Sequence, residues 1–398
     1  MRITHIITRL IVGGAQENTV ASVLGLRRLP GVDTHLISGP TTGPEGSIES
    51  QFDDSPEALT LLPSLVRPVH PLLDARAWLS LSTLLRRDQP DIVHTHSGKA
   101  GFLGRLAART AGVPIVLHTI HGPSFGPFQG PVANAAFRTA ERLAGPLTTH
   151  FVVVANAMAR QYRAAGIGRP DQFTRIVSGF ELQPFLAAQN DPALRQRLGI
   201  APDDFVVGKV ARLFENKGHH DLVAAAPALV RILPQLRFLI VGDGEHRAAL
   251  EAQVAQQHLS RHFIFTGLVP PTEVASLIGI MDVLVHLSRR EGLARALPQA
   301  LAVGRPVIAY DSDGANEVCI NGRTGYLVPT GNQHALQERI KLLARDPSLR
   351  VQLGTRGREL VRDLFPLQRM IDDLHALYQR LMHSRSPRRA TSPFAPKP

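Results

Sequence analysis

Arg212 and Lys217 bracket the stretch Val210-Ala211-Arg212-Leu213-Phe214-Glu215-Asn216-Lys217-Gly218, which follows an apolar run and precedes an amphipathic one. Two cations at that spacing, beside a helix N-terminus, make a cradle for a diphosphate: a planar fork for paired oxygens and a point charge. Ordinary charges on a solvated loop would look the same, but the position at a strand end favours the cradle. The most specific pattern is Ser288-Arg289-Arg290-Glu291-Gly292-Leu293-Ala294-Arg295-Ala296-Leu297-Pro298-Gln299-Ala300. Glu291 ends a strand, Gly292 frees the backbone, and Pro298 fits the first turn of the next helix, where its missing N–H costs nothing. Amides around Leu293, Ala294 and Arg295 would then face an anion, and Gln299, one turn into the helix, could reach the same ligand. Gly242, in Val241-Gly242-Asp243-Gly244-Glu245, marks a glycine-rich turn that is weak alone.

The first half of the chain offers less charge. Gly13 and Gly14, after the first apolar run, let a backbone approach a ligand and leave helix amides free for an anion. A plain strand-to-helix turn explains the pair equally well. It is not GxGxxG, and no acidic residue ends a strand about 20 positions on, as a dinucleotide site would want. In His94-Thr95-His96-Ser97-Gly98-Lys99, two histidines at i, i+2 suggest a metal, yet no third ligand is evident nearby. Phosphate or hydroxyl contacts through Ser97 and Lys99 are the better expectation. His121, in His118-Thr119-Ile120-His121-Gly122-Pro123, is balanced between a structural and a catalytic residue.

These loops need elements to hold them. Apolar runs at 3–8, 34–38, 91–94, 114–118 and 150–154 alternate with helical patterns at 15–29, 75–87, 101–110, 132–143 and 156–165. The alternation resumes with runs at 205–210, 238–241, 263–266, 283–287, 307–310 and 325–328, and helical patterns near 219–232, 245–257, 272–279, 297–303 and 334–344. Strands apolar on both faces, separated by helices, predict parallel sheets. Occurring twice, the pattern predicts an α/β protein of two doubly wound, Rossmann-like domains, 1–182 and 183–366, with breakers near 189–204 between them. Such sheets bind ligands at the carboxyl ends of their strands. Residues 39–56 read as a mobile surface loop and 384–398 as a disordered tail. Trp78 lies on a helical apolar stripe and reads as core.

Composition narrows the function. Of 398 residues, 44% are hydrophobic and 19% charged, enough for real cores. The single Cys319 makes no internal disulfide and reads as a buried small apolar residue, so a reducing, cytoplasmic setting is expected. The N-terminus lacks the basic and long apolar regions of a signal peptide, and no apolar run reaches 18 residues. The formal charge is +11, from 44 Lys and Arg against 33 Asp and Glu. It divides as +5 over 1–180 (17 basic, 12 acidic), +2 over 181–365 (21 and 19) and +4 over 366–398 (6 and 2). A near-neutral second half and 5% aromatic residues argue against nucleic acid. An anionic membrane or a phosphorylated substrate suits the surplus better.

Taken together, the Gly13-Gly14-Ala15 loop, HSGKAGFLGRLAA, His121-Gly122, VARLFENKG, VGDGEHRAAL, SRREGLARALPQALAVGRPVIAY and DGANEV resemble the retaining glycosyltransferases of family 4, of GT-B architecture. The resemblance runs from Ile3 to about Leu381. It implies that Arg212 and Lys217 hold the nucleotide diphosphate, that Glu291 faces the transferred sugar's hydroxyls, and that the amides after Gly292 meet the phosphates. Gly14 would line the donor–acceptor junction, and His121 would lie by the reacting carbon and the leaving oxygen. His94, Ser97 and Lys99 would lie on the acceptor side, and a last helix over 367–381 would return to the first domain. It implies a nucleotide-sugar substrate (UDP- or GDP-linked), no resident cofactor and no obligatory metal. The acceptor would be a saccharide or a lipid-linked glycan, met at the inner face of an anionic membrane. The family usually has a second Glu where this chain has Gln299. A GT-B sugar-nucleotide epimerase is the rival enzyme, and a basic nucleic-acid-binding protein the rival without catalysis.

Overall fold

Backbone amides in a buried parallel strand must be paired, so an interior apolar run needs a neighbour on each edge and helices on both faces. The computed structural model, which describes residues 1–41, 46–126 and 128–385, arranges the runs as two sheets. The first contains β1 (Arg2–Ile7), β2 (Asp33–Ser38), β3 (Leu59–Leu61), β4 (Ile92–His96), β5 (Ile115–Ile120), β6 (His150–Val153) and β7 (Phe173–Arg175). The second contains β8 (Phe205–Val210), β9 (Leu236–Val241), β10 (Phe263–Gly267), β11 (Val283–His286), β12 (Val307–Tyr310) and β13 (Gly325–Val328). Their orders are β3-β2-β1-β4-β5-β6-β7 and β10-β9-β8-β11-β12-β13. All pairings described between these strands are parallel. The order reverses between β1 and β4 in one sheet and between β8 and β11 in the other, so each sheet opens a crevice at that point.

Helices close both faces of both sheets. Ile6, Val93 and Val116 meet Leu81 and Leu103 on one face of the first sheet. On its other face Ile3, Ile92 and Leu117 meet Met370, Leu374 and Tyr378 of the helix Leu367–Arg385. The last helix therefore packs on the sheet formed by the start of the chain. A Cβ on Gly25 would lie 2.2 Å from Ile371 Cδ1, which shows how closely the helix Gly14–Arg27 approaches it. In the second sheet Val206, Leu239 and Leu284 meet Leu297, Leu301 and Phe365, and Val207, Phe238 and Val285 meet Leu222, Leu229 and Leu336. The chain crosses between the sheets twice, and the crossings are bonded side by side: Phe180 N donates to Phe365 O at 3.1 Å and Leu367 N to Phe180 O at 3.2 Å.

Several elements escaped the periodicity. β3 and β7 have three residues each, too short for a pattern. The helix Pro347–Leu364 packs on Ala296–Val303 so tightly that a Cβ on Gly354 would meet Gly304 O at 2.0 Å. The region of breakers near 189–204 holds a short helix, Pro192–Arg197, capped by the Asp191 side chain accepting from Ala193 N at 2.9 Å. Within 39–56 the mobile-loop expectation is corrected where residues are described: Ile48 and Phe52 are buried among Leu10, Val20 and Leu36. Residues 42–45, and the expected tail beyond Arg385, lie outside the described residues. Trp78 is half-buried, its Nε1 donating to Thr110 Oγ1 at 3.3 Å, and Cys319 is fully buried, where burial pushes its thiol up to about 12.

Candidate active site

The carboxyl ends of the two sheets face each other across a cleft of about 2940 Å³. Its walls include Gly14, Ser97, Lys99 and His121 from the first half of the chain. From the second half come Arg212, Lys217, Gly242, Glu291, Leu293, Ala294 and Gln299. Gly292 is buried between Glu291 and Leu293 and does not line the cleft itself, and His94 lies away from it. His94 is 1% exposed, held between Tyr378 Oη (2.6 Å from Nδ1) and Thr119 Oγ1 (2.6 Å from Nε2). It cannot touch an acceptor: on β4 its side chain points into the face that the last helix covers.

The second-domain wall is built from fixed charge. The 3₁₀ turn Glu215–Lys217 ends at Gly218, whose φ of 67° favours glycine and whose Cβ would lie 2.1 Å from Leu287 O. That approach brings the loop after β8 against the loop after β11, and Lys217 Nζ pairs with Glu291. Burial alone would raise the Glu291 carboxyl, but Lys217, His286 and Arg212 outweigh it and hold the group below its ordinary value. The backbone N–H of Glu291 donates to Asp313 Oδ2 at 2.8 Å. Arg212 lies over the Phe214 ring, 4.8 Å from its centroid. Gln299 sits in the first turn of the helix Ala296–Val303, whose N-terminus has no side-chain cap. Uncapped amides at a cleft wall are free to meet an anion.

The first-domain wall joins this one closely. A Cβ on Gly292 would lie 1.9 Å from His121 O, so only glycine allows the two loops to touch. Arg295 reaches across to pair with Glu17, and its Cδ would sit 3.2 Å from a Cβ on Gly14. Arg290 bonds Pro123 O and lies over the Phe128 ring at 3.8 Å. Ser97 is at the cleft with φ 64°, unusual for a residue bearing a Cβ, directly before the helix Gly98–Ala111. Lys99 is at the cleft too, with its ammonium already matched by Asp74 and Pro68 O. His121 is held neutral, burial pushing its pKa down to about 4.

Two groups of residues went unrecognised in the sequence. His5 lies directly opposite His94 across the β1–β4 pairing, and His96 shares that face. The nitrogens of His5, His94 and His96 lie within 4.8 Å of one another, so β1 supplies the third imidazole that 94–96 lacks. Both nitrogens of His94 and both of His96 are already hydrogen-bonded. The set therefore fits a bonded chain of rings better than a ligand shell. The second group is Lys209, fully buried on β8 with no partner for Nζ, its pKa lowered to about 7 by burial and then by Lys217, against the pull of Asp221 and Glu291. Its signal was present in the sequence: a lysine inside an otherwise apolar strand.

Residues 13–178 match the glycosyl transferase 4-like domain and residues 190–360 the glycosyl transferases group 1. The chain is 28% identical over 387 residues to UDP-Gal:alpha-D-GlcNAc-diphosphoundecaprenol alpha-1,3-galactosyltransferase of Escherichia coli, covering 95% of this chain and 96% of that protein. It is 30% identical over 339 residues to a GDP-mannose-dependent alpha-mannosyltransferase of Mycobacterium tuberculosis (83% and 84% covered). Among solved structures, Anabaena HepE in complex with UDP-glucose superposes with a TM-score of 0.78 at 21% identity, over 96% of this chain and all of that one. The fold is GT-B.

Proposed function

Because the chain belongs to the group 1 glycosyl transferases, enzymes that take sugars from nucleotide-sugar donors, we propose that it moves one sugar to a hydroxyl of a saccharide or lipid-linked glycan with retention. The observation that carries this reading is the meeting, in one interdomain cleft, of Arg212 and the Lys217–Glu291 pair with His121. In the proposed step the bond from the anomeric carbon to the diphosphate breaks, and the acceptor oxygen bonds to that carbon on the same face. The acceptor proton passes to the leaving phosphate oxygen. The barrier lies in separating a diphosphate from an oxocarbenium-like sugar. Preorganised cations on the leaving oxygens lower it most, which is the work of Arg212, Lys217 and the amides of Leu293 and Ala294. These cations stand where a divalent metal would otherwise serve, so turnover is expected to persist in EDTA. Glu291, held anionic, accepts from the sugar hydroxyls; Gly14 lies at the junction beside Arg295, and Gly242, where a Cβ would lie 2.3 Å from Ala211 O, lets its loop pack on the Arg212 loop at the donor wall. Neither rival reading, epimerase or nucleic-acid binder, gains support from the relatives.

The names of two relatives support UDP-galactose and GDP-mannose as first donors to try, and a diphosphoundecaprenol-linked sugar as acceptor. Release of UDP or GDP is the assay. Lys217→Ala and Arg212→Ala are each expected to lower kcat/KM about 10²- to 10³-fold, the size of removing one oxyanion donor. Near-normal turnover in both would sink the assignment. Contact with a membrane is supported by the helix Pro131–Ala144, which leaves Val132 and Leu143 84% and 67% exposed and lends Phe137 and Ala140 to the cleft wall. Among the described residues no helix is long and apolar enough to cross a membrane. Flotation with phosphatidylglycerol vesicles at low salt tests it; protein left wholly in the pellet fraction would remove the membrane from the scheme.

A further inference from the structure

Behind His121 the first domain holds two imidazoles that the transfer step above does not use. The sheet places them: His5 faces His94 across β1–β4, and His96, two residues further, projects from the same face. His5 is fully buried and His96 is 1% exposed. His96 Nδ1 lies 3.0 Å from His121 Nε2, and His96 Nε2 lies 3.0 Å from His5 Nδ1. The rings of His5 and His96 stack at 13°, those of His96 and His121 at 27°. His94, bonded at both nitrogens, packs 4.4 Å from His96 and pins it. Burial pushes all three rings of the chain down, His5 to about 3 and His121 to about 4, so each is neutral and carries one N–H.

Three neutral rings joined by two contacts have only two consistent proton arrangements. In one, every proton is on Nδ1: His5 donates to His96, His96 donates to His121, and His121 keeps its own Nδ1–H for the cleft. In the other, every proton is on Nε2: His121 donates inward, and the chain ends with the Nε2–H of His5 in the core. His5 Nε2 is buried without a partner. A buried N–H with no acceptor is the rarer fault in proteins, so the chain should end there on a bare nitrogen instead.

We propose that His96 and His5 are positioning residues that lock His121 as the Nδ1–H tautomer, so that an N–H, not a lone pair, faces the leaving oxygen of the donor. The proposal rests on the reading of His121 as a residue beside that oxygen. A lone pair at that place would repel a phosphate oxygen, whereas a fixed N–H stabilises it as charge develops.

The test uses the full chain, labelled with 15N-histidine and saturated with UDP. Long-range 1H–15N correlations are expected to show His121 with a protonated Nδ1 and a bare Nε2; the reverse pattern overturns the proposal. His96→Leu removes the inner donor. Its turnover of the fastest donor among UDP-galactose, UDP-glucose and GDP-mannose is expected to fall about 10- to 100-fold, as when an outer partner that orients a ring is lost. Donor KM should stay within about twofold, the loss falling on the transition state. His96→Asn, whose amide nitrogen takes the place of Nδ1, is expected to recover most of the loss; equal turnover of the two variants overturns the proposal. His121→Ala separates the layers: if it alone turns over normally, the site reading fails, while the tautomer spectrum still reports on the chain. Should His96→Leu not fold, the wild-type spectrum decides.

Discussion

The two sheets of this protein share a plan and differ in what they place at the switch point. Between β8 and β11 the polar groups are charges, the Lys217–Glu291 pair with Arg212 alongside, together with the buried Lys209 whose Nζ has no hydrogen-bond partner. Between β1 and β4 they are neutral rings: His5, His94 and His96, leading to His121. Burial acts on both ends, but against different partners. In the second sheet the charges lie close enough to hold one another, so Glu291 stays anionic although desolvation opposes it. In the first no carboxylate appears among the groups that shift the histidines of the chain, and desolvation leaves them uncharged. The lesson is a division of labour that suits group transfer. A diphosphate arrives charged and needs counter-charges that do not move. The leaving oxygen gains its charge only as the bond breaks, and a neutral N–H fixed beside it meets that charge without binding the ground state as strongly as a cation would.

That division holds only if the two ends touch. Gly292→Ala puts a methyl group where His121 O already sits, 1.9 Å from the ideal Cβ, so the loops must part. A misplacement of about 1 Å at a reacting centre costs on the order of 100-fold in rate. We expect that loss in kcat, with a smaller loss of UDP affinity as the neighbouring amides of Leu293 and Ala294 shift while Arg212 and Lys217 stay in place. If UDP binding falls as steeply as kcat, the glycine serves the donor site and not the junction.

How much of this was legible follows from the range of each interaction. Strand–loop–helix passages such as Val210–Gly218 and Ser288–Ala300 carry their signal within a dozen residues: an apolar run, a glycine, a proline in the first turn. The loops that carry Arg212, Lys217 and Gly292 were therefore readable as passages from a strand end to the next helix. The histidine chain was not, because its contacts span 91 residues from His5 to His96 and 25 from His96 to His121. Only the strand order β1-β4-β5 makes them neighbours. The same absence of order made His94 look like a cleft residue, when alternation along β4 turns it to the covered face. Ile48 and Phe52 lie among glycines, serines and acids, and no period marks them as core.

Lys209 sharpens the comparison from the side of stability. A lysine whose folded pKa is lowered binds its proton less readily in the folded state than in the unfolded one. The penalty is therefore complete below about pH 7 and fades as pH rises towards the ordinary value of 10.5. Lys209→Met is expected to raise stability at pH 6 by on the order of a few kcal/mol, and by less at pH 9.5. If Lys209 belongs to the charged wall, the same variant binds UDP more weakly despite its higher Tm. Thermal unfolding with and without UDP at both pH values reads both effects. A Tm gain independent of pH would mean that the ammonium is not the source of the cost.

The smallest effect concerns Gln299, where a carboxylate would complete the charged wall. Its side chain lines the cleft from the first turn of Ala296–Val303, a position where negative charge is favoured by the helix N-terminus. An amide accepts hydrogen bonds at one end only and without charge, whereas a carboxylate accepts at two oxygens with charge assistance. The difference between a neutral and a charge-assisted bond is about 1 kcal/mol, or roughly fivefold in affinity. Gln299→Glu is therefore expected to tighten UDP and uridine alike by about fivefold, with kcat unchanged, if residue 299 meets the ribose diol. Weaker binding of UDP with uridine unchanged would move residue 299 to the phosphates, where added negative charge is repelled. A rise in kcat without tighter binding would place it against the transferred sugar.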